Sequence, residues 1–379
     1  MNKVKVTFLV PDISAPIVGA ATVMAGHLRG EFDVEIVGPD LGRGICQMYA
    51  NSSAYRVVPA PKLYRWPDFL WQVARLSSAV TGDVVMAFKA YADTVPVAWW
   101  QKVCHRRKMV VYLDEWDAAA WYERPNRFRT ALQNLHHPLD DSYFPAVERL
   151  IRRADLVIST TTFLQRKFGG AIVPFGVDTE LFKPDNAGSE RLRRDLGLQD
   201  LKLIVFGGVV RPHKGVATIL EALALLANPR YRLLIVGPMT SHVEELLANP
   251  RFKPYLAAIG ERPKEEMPPY LGMADLVVLP LGDNLLAQSQ MPCKVFEAMA
   301  MAKPVIASEV SDLPAVLDGC GWTVPPGNIQ ALAEKIDYVF RNPAAGAAAG
   351  QAAREKCIAR YSAEQTKKQL CALIGGLQS

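Results

Sequence analysis

One predicted helix carries two charged groups in an otherwise apolar segment. Residues 292–301 read Pro-Cys-Lys-Val-Phe-Glu-Ala-Met-Ala-Met, so a helix there surrounds Glu297 with side chains that favour the core. A buried carboxylate is costly unless it is paired or hydrogen-bonded. Lys294 can pair with Glu297 from three residues earlier on the same face. Alternatively, the helix start lines a ligand site, where its free amides face an anion and Glu297 accepts hydrogen bonds from hydroxyl groups.

A second charged segment lies between a predicted buried strand and a predicted helix. Residues 205–215 read Val-Phe-Gly-Gly-Val-Val-Arg-Pro-His-Lys-Gly. Gly208 lets the backbone approach an anion closely, and Arg211 and Lys214 can form charge-assisted bonds to phosphate oxygens. The combination indicates a pyrophosphate site, although its spacing matches neither the P-loop nor the dinucleotide-binding fingerprint. The alternative is a solvated loop with two surface cations.

Three carboxylates stand within four residues after the strand predicted over 110–113. Asp114, Glu115 and Asp117 follow the carboxyl end of that strand, where open α/β sheets bind their ligands. Asp114 or Glu115 can therefore take the proton of an acceptor hydroxyl, or orient a developing charge, from within hydrogen-bond reach. Alternatively, Asp117 caps a helix whose first turn is acidic. Lys89 follows another predicted strand and is interpreted as an exposed loop lysine.

The elements that must position these groups alternate along the whole chain. Short β-branched runs are separated by amphipathic stretches, which indicates parallel strands with crossover helices. A turn-rich segment over 174–188 interrupts the alternation and predicts a domain boundary, giving domains of residues 1–176 and 177–359. We predict strands at 3–10, 34–37, 84–86, 109–113, 156–159, 202–206, 232–236, 276–279, 305–307 and 322–324.

Helix patterns complete the prediction. Proline suits the first helical position, so we begin one helix at Pro292. The Ala/Gly-rich run over 343–353 is also assigned to a helix, because alanine is the strongest helix former. Ser362 is a suitable N-cap for the last helix, which runs to about residue 374. We predict the remaining helices at 216–227, 243–248 and 329–340.

The composition excludes several classes of protein. Half of the 379 residues are apolar, yet no run reaches the ~18 apolar residues of a membrane span. The six cysteines are scattered, which predicts neither a zinc site nor a disulfide framework and indicates a reducing cytoplasm. A net charge of +5 is modest for this size, so no nucleic acid partner is predicted. Binding of a phosphorylated ligand or of an anionic membrane surface is sufficient to explain this positive charge.

Several segments together resemble one enzyme family. Residues 174–184, 208–215 and above all 292–308 are similar to the retaining glycosyltransferases of family 4, which have the GT-B architecture. The resemblance implies an α/β fold of two Rossmann-like, doubly wound domains that face a central cleft. It implies that the helical segment 360–379 packs back onto the first domain. It also implies transfer of a sugar with retention from a UDP- or GDP-linked donor to an acceptor hydroxyl, without a metal or another cofactor.

The family pattern assigns roles in the second domain. Glu297 matches the second of two glutamates that are separated by seven residues, and this glutamate holds the ribose hydroxyls. Lys214 matches the lysine that meets the donor phosphates. The arginine of the pattern is expected at Val209, so we assign phosphate binding to Arg211, two residues later. Gly208 and Lys294 belong to the same predicted nucleotide-sugar site.

The chain departs from the family at the first glutamate. Ser289 stands where that glutamate would contact the donor sugar. A shorter, neutral side chain leaves part of this contact to Gln288, Gln290, Asp283 or backbone amides. The donor sugar is therefore either unusual or held in a different way, and Ser289 is retained as a predicted donor-site residue.

The first domain departs from the family in two places. The family often has a histidine near the reacting end of the donor, where this chain has Asp114 and Glu115. The family's glycine-rich first loop is reduced to Gly19, whose amide we expect to approach a phosphate or sugar at a helix start.

Aromatic and basic residues concentrate in the first domain and suggest an acceptor. Together they suit an anionic bilayer surface and a sugar or lipid-linked glycan acceptor. The alternative is core tryptophans beside a solvated helix end. The residues are Trp66, Trp71, Trp99, Trp100, Trp116, Trp121, Lys102, His105, Arg106, Arg107, Lys108, Arg124, Arg127 and Arg129.

These features predict a cytoplasmic glycosyltransferase of glycan, glycolipid or cell-surface polysaccharide synthesis, at the inner face of the membrane. Two alternatives remain open from the sequence. A sugar-nucleotide epimerase shares the architecture but needs no acceptor. A non-catalytic nucleotide-sugar-binding protein is suggested by Ser289.

Overall fold

Parallel strand pairing organises both halves of the molecule. The computed structural model of the protein describes residues 3–41, 44–46, 54–60, 64–211 and 214–377. The chain divides into a first unit, Met1–Phe175 with Thr366–Ser379, and a second unit, Gly176–Gln365. The sequence predicts a domain boundary after residue 176 and a return of the chain to the first unit at residue 360. In the structure the return falls at Thr366, inside the last helix.

The first unit contains a seven-stranded sheet whose described strands are all parallel, in the order β3-β2-β1-β4-β5-β6-β7. Its central strands are buried on both faces, as expected for a parallel sheet covered by helices. The strands are β1 (Lys5–Leu9), β2 (Asp33–Asp40), β3 (Tyr55–Pro59), β4 (Val84–Phe88), β5 (Lys108–Leu113), β6 (Leu156–Ser159) and β7 (Ala171–Ile172).

Helices connect these strands. They are α1 (Gly19–Leu28), α2 (Asp68–Ala79), α3 (Val95–His105), α4 (Ala119–Glu123), α5 (Arg127–Asn134), α6 (Phe144–Ile151) and α7 (Thr162–Phe168). The core between helices and sheet includes Val6, Phe8 and Met24.

The second unit contains two three-stranded parallel sheets, in the orders β10-β9-β8 and β11-β12-β13. A bridge between Ile204 and Leu276 joins them, so β8 and β11 are neighbours. The strands are β8 (Lys202–Gly207), β9 (Tyr231–Val236), β10 (Leu256–Ile259), β11 (Val277–Leu279), β12 (Val305–Ser308) and β13 (Trp322–Val324). The helices are α8 (Asn186–Asp195), α9 (Val216–Leu226), α10 (Ser241–Ala248), α11 (Met267–Gly272), α12 (Leu285–Ser289), α13 (Cys293–Ala300), α14 (Leu313–Leu317), α15 (Ile329–Arg341) and α16 (Pro343–Arg360).

The last helix, α17 (Ala363–Gly375), packs on the first unit. Leu370 and Ile374 are fully buried and join the core that contains Val6 and Phe8. The Thr366 hydroxyl donates to the Pro174 carbonyl at 3.1 Å. Apolar burial and this hydrogen bond therefore hold the end of the chain against the first sheet.

The Ala/Gly-rich run forms α16, and its small residues allow close packing. A Cβ built on Gly350 would lie 2.1 Å from the Ala302 carbonyl oxygen, directly after α13. Arg354 donates to the Phe182 carbonyl at 3.2 Å and also to the Ala300 carbonyl. The Cys357 thiol lies 3.5 Å from the Phe296 carbonyl oxygen. Helix α16 thus packs on α13, the helix that carries Glu297, and fixes its position in the second unit.

Three strands in the structure lack a strong sequence pattern. In β3 only Val58 is buried, so the alternation that marks a half-buried strand is missing. Strand β7 has two residues, and β10 is a short Leu-Ala-Ala-Ile run at the edge of its sheet. Within the described residues, no helix is long and apolar enough to cross a membrane.

Gly215, at the start of α9, lies in close contact with a neighbouring strand end, and substituting it tests that contact. Gly215 has φ +70°, and a Cβ built on it would lie 2.0 Å from the Pro280 carbonyl oxygen. Gly197 has φ +67° with nothing within 4 Å of its Cβ position, so it is the matched control. We expect Gly197→Ala to lower the free energy of unfolding by about 1 kcal/mol through backbone strain alone. We expect Gly215→Ala to lower it by about 3 kcal/mol or more, because backbone must also move. Equal losses in denaturant unfolding would contradict the close contact.

Candidate functional site

Helix α13 exposes its two charged residues to a pocket instead of pairing them. Pro292 is the N-cap, with ψ 120°, so the helix begins at Cys293, one residue later than predicted. Lys294 and Glu297 are half-buried, whereas the apolar residues around them are buried. Among the described residues there is no ion pair between Lys294 and Glu297 within 4.0 Å.

Lys294 turns instead toward the loop that follows β8. Its ammonium lies 5.4 Å from the centre of the Phe206 ring. A Cβ built on Gly208 would lie 3.4 Å from the same nitrogen. Lys294 and Glu297 line a narrow pocket with Phe206, Gly207 and other residues of the strand ends. The ion-pair interpretation of Glu297 is therefore wrong in this structure, and the carboxylate faces a pocket beside a cation.

The loop after β8 brings a second cation to the start of α13. Gly208 has φ +100°, and its amide donates to the Val236 carbonyl at 2.8 Å. Gly208 therefore contributes space and not a free amide. The Lys214 ammonium lies 3.1 Å from Oε1 of Gln290, just before α13. Arg211 is exposed, and the intervening Pro212 and His213 lie outside the described residues.

The segment before α13 is held by its own hydrogen bonds. Ser289 is fully buried at the end of α12, and its hydroxyl donates to the Leu286 carbonyl at 2.9 Å. In this structure the Ser289 hydroxyl is therefore not exposed to a donor sugar. Gln288 donates to Asp283 at 2.7 Å and accepts from the Ser311 amide at 3.3 Å. Among the residues suggested to take over the contact of the first glutamate, Gln290 contacts Lys214, a candidate phosphate-binding residue.

The first unit contains a buried cation surrounded by the predicted carboxylates. Lys89 is 6% exposed, and its ammonium contacts Asp114 at 3.0 Å, Asp117 at 3.6 Å and Glu115. The prediction of an exposed loop lysine was wrong, because β4 and β5 are neighbours and both end at this edge of the sheet. Lys89 has φ +66° and is held by hydrogen bonds of its backbone amide to Tyr112 and of its carbonyl to Thr94.

Asp117 belongs to this cluster and does not cap a helix. Its carboxylate accepts from the Ala90 amide at 2.9 Å, whereas Ala118 is the N-cap of α4. Burial raises the pKa of Asp117 to about 7, against the opposing effect of Lys89. Burial alone would lower the pKa of Lys89, but Asp114 and its neighbours raise it well above the ordinary value. Asp114 and Glu115 keep side chains that are 27% exposed, so they are the accessible members.

Sequence reasoning missed a further carboxyl group at the same edge. Asp93 follows β4, is 1% exposed and accepts a hydrogen bond of 2.7 Å from the Tyr64 hydroxyl. Burial raises the pKa of Asp93 to about 7. Its position after a predicted parallel strand was the available signal, but burial was not readable from the sequence.

Gly19 is not positioned as predicted. It is buried as the first residue of α1, and its amide donates to the Pro16 carbonyl in the preceding 3-10 turn. Because that donor is already used, the amide does not face a phosphate or sugar in this structure.

The tryptophans of the first unit differ in burial, and Trp99 is half-buried. Trp116 and Trp121 are each 7% exposed, and Lys167 lies 3.9 Å from the centre of the Trp116 ring. Trp66, Trp71 and Trp100 belong to the exposed hydrophobic residues. The tryptophans are therefore neither all core residues nor all surface residues.

Part of the chain is similar in sequence to a known family and to named glycosyltransferases. Residues 201–342 match the family described as glycosyl transferases group 1. The GDP-mannose-dependent alpha-(1-6)-phosphatidylinositol monomannoside mannosyltransferase of Mycolicibacterium smegmatis is 27% identical over 261 residues, covering 63% of this chain and 68% of that protein. The amylovoran biosynthesis glycosyltransferase AmsK of Erwinia amylovora is 24% identical over 241 residues, covering 60% and 57%. The matches thus span part of each relative.

Solved structures show the fold. The structure of Anabaena HepE in complex with UDP and glucose matches with a TM-score of 0.78 and 19% identity, covering 98% of this chain and 100% of that chain. WaaG, a glycosyltransferase involved in lipopolysaccharide biosynthesis, matches with a TM-score of 0.72 and 16% identity, covering 97% and 99%. The predicted GT-B fold of two Rossmann-like domains is confirmed.

The Lys89 cluster predicts a pH-dependent loss of stability. Lys89→Met removes the cation and leaves three carboxylates together, so we expect a loss of about 3 to 5 kcal/mol in the free energy of unfolding at neutral pH. The pKa of Asp117, already raised to about 7, should rise further. A carboxyl whose folded pKa exceeds its unfolded value loses stabilisation as the pH rises. The deficit should therefore be largest above about pH 7 and smallest below about pH 4.

The matched control is Lys102→Met. Lys102 pairs with Asp155 at 2.7 Å, but its side chain is 33% exposed. We expect a loss of about 1 kcal/mol or less, nearly constant above about pH 5, because this pair is solvated and the pKa of Asp155 is lowered. A Lys89→Met deficit that stays flat with pH in denaturant unfolding would refute the coupled cluster.

Proposed function

Because residues 201–342 are a glycosyl transferases group 1 domain, we propose that the protein transfers a sugar from a nucleotide diphosphate sugar to an acceptor hydroxyl. The observation that carries the proposal is the convergence of Lys214, Gln290, Lys294 and Glu297 around the start of α13 and the loop after β8. Two cations suit a diphosphate, and a half-buried carboxylate beside them suits ribose hydroxyls. The second unit is therefore assigned to the donor.

The proposed reaction is a front-face displacement with retention. The acceptor oxygen forms a bond to the anomeric carbon on the side from which the diphosphate leaves. The bond between that carbon and the phosphate oxygen breaks, and the proton of the acceptor hydroxyl passes to the departing phosphate. Lys214 and Arg211 stabilise the negative charge that develops on the diphosphate, which is the electrostatic contribution expected to dominate. In this proposal neither a metal ion nor another cofactor takes part.

The first unit is assigned to the acceptor. Asp114 and Glu115 are partly exposed carboxylates at the carboxyl end of β5, and the nearby ammonium of Lys89 holds their positions. We assign to them hydrogen bonds to acceptor hydroxyls. Asp117 and Lys89 are buried, so their proposed role is to position the exposed pair.

The acceptor proposed is a sugar or a lipid-linked glycan. Support comes from the names of the relatives, which include a phosphatidylinositol monomannoside mannosyltransferase and an amylovoran biosynthesis glycosyltransferase. A lipid-linked acceptor would bring the protein to the cytoplasmic inner face of a membrane as a peripheral protein. UDP and GDP both remain candidates for the nucleotide of the donor.

A thermal-shift screen followed by a turnover assay tests the donor and the reaction. We expect one UDP- or GDP-linked sugar to raise the melting temperature most, since a ligand stabilises the state it binds. That donor should release its nucleotide when glycan acceptors are supplied. Conversion of the donor alone to an isomer would favour an epimerase. Tight binding without turnover of any donor and acceptor pair would favour a non-catalytic binding protein.

Glu297→Ala tests the assigned ribose contact. We expect calorimetry to show that UDP or GDP, whichever binds the wild type, binds the variant about 1 to 3 kcal/mol more weakly, through loss of hydrogen bonds to a charged acceptor. Glu245→Ala is the control, because Glu245 lies on α10 in the same unit and is 75% exposed. Unchanged affinity in folded Glu297→Ala protein would remove Glu297 from the nucleotide site.

A further inference from the structure

Helix α5 has no buried residue, although it carries large apolar side chains. Phe128 is 70% exposed, Leu132 is 73% exposed, and Leu135, which follows the helix as its C-cap, is 54% exposed. Most protein helices are stabilised by packing an amphipathic face against a core. In α5 the half-buried side is polar: Asn134 donates to Asp140 at 2.8 Å. The apolar side touches the protein through Phe128, whose ring centre lies 5.9 Å from that of Trp121. Most of the apolar face is therefore available to another surface.

The exposed residues form a regular stripe. Phe128, Leu132 and Leu135 follow the i, i+4, i+7 spacing of one helix face, within a sector of roughly 60° at about 100° per residue. By the same spacing, Arg127 and Arg129 lie on either side of that stripe. Long arginine side chains flanking an apolar stripe match the pattern of helices that lie in a membrane interface.

The charged residues of α5 itself are all basic. Residues 124–139 contain three arginines and two histidines and no aspartate or glutamate. Arg124 is engaged by Asp140 and Asp141. Arg127 is half-buried, with its guanidinium 5.5 Å from the centre of the Tyr122 ring, whereas Arg129 is exposed. A surface of this composition attracts anionic lipid headgroups.

Further exposed apolar residues follow a segment that contacts the end of α5. The Trp66 amide donates to the His136 carbonyl at 3.2 Å, which joins the end of α5 to the start of α2. There Leu70 is 59% exposed and Trp71 is 73% exposed. Tryptophan is enriched at membrane interfaces because one part of the ring is apolar and its N–H is polar.

We propose that α5 lies in the headgroup region of an anionic lipid bilayer. Phe128, Leu132 and Leu135 insert into the apolar boundary, and Trp66, Leu70 and Trp71 extend the contact. Arg129 contacts lipid phosphates, and the half-buried Arg127 adds positive charge beside the stripe. The inference deepens the proposed function, because it names the surface through which the first unit would reach a lipid-linked acceptor. A second copy of the chain is the less suitable occupant, since an isologous contact would place two surfaces of the same positive charge against each other.

The test is sedimentation of the full chain with vesicles of phosphatidylcholine alone and of phosphatidylcholine with phosphatidylglycerol. We expect binding to the anionic vesicles at low salt and release at high salt. In Phe128→Gln/Leu132→Gln the partition coefficient should fall about tenfold or more, since two apolar side chains no longer enter the lipid. In Arg127→Gln/Arg129→Gln binding should fall at low salt and lose its salt dependence.

Matched controls come from the second unit. Leu225→Gln/Ile358→Gln replaces apolar residues that are 51% and 43% exposed on α9 and α16. Arg191→Gln/Arg194→Gln replaces exposed arginines of α8. Neither double variant should change vesicle binding. A loss of binding in these controls equal to that in the α5 variants would overturn the assignment to α5.

Hydrogen exchange localises the contact without a substitution. Amides of α5 should become protected on anionic vesicles, while those of α9 stay unchanged. Absence of vesicle binding by the wild type, or protection of α5 in concentrated lipid-free protein, would overturn the proposal, the latter in favour of a second copy. Calorimetry of nucleotide binding separates the two proposals, because the α5 variants should bind nucleotide like the wild type. Vesicle binding without nucleotide binding would refute the transferase proposal alone.

Discussion

Parallel pairing of the strands is the constraint on which the candidate sites depend. In a parallel sheet, all carboxyl ends lie at one edge, so residues distant in sequence are brought together there. Lys89 follows β4 and Asp114 follows β5, and these strands are neighbours in the first unit. In the second unit, Gly208 and Lys214 follow β8, whereas Gln290 and Lys294 follow β11, which is joined to β8 by the bridge at Ile204. The chemistry of each unit is therefore assembled by main-chain hydrogen bonds between strands.

Buried charge in the first unit is tolerated because it is locally balanced. The ammonium of Lys89 lies among three carboxylates, and the Ala90 amide donates to the most buried of these, Asp117. Burial still raises the pKa of Asp117 to about 7, so the balance depends on pH near neutrality. The more exposed Asp114 and Glu115 combine a fixed position with access to solvent. That combination of rigidity and access suits groups that must bind hydroxyls.

Helices α13 and α5 illustrate two different ways of using apolar surface. Helix α13 is supported by α16, whose Gly350 allows close approach and whose Arg354 binds carbonyl groups at the end of α13. This support keeps Glu297 at the wall of its pocket. Helix α5 has an apolar stripe that stays exposed, because the contact that it makes with Asp140 comes from its polar side. The first helix is rigid enough for a binding site, and the second has a face suited to an external surface.

Sequence alone determined the alternation of strands and helices, because apolar periodicity and glycine or proline boundaries are local properties. The resemblance carried by residues 208–215 and 292–308 further implied the fold and the family of the second domain. Edge strands β3 and β10 were not predicted from the sequence, because they are held mainly by pairing with a neighbouring strand and bury few side chains. The partner of Lys89, the burial of Ser289 and the separation of Lys294 from Glu297 were decided by tertiary structure. Lys89 and Lys294 meet residues that are distant in sequence, so local patterns could not reveal those contacts. The Ser289 hydroxyl bonds to nearby Leu286, but the burial of Ser289 depends on how the unit packs around α12.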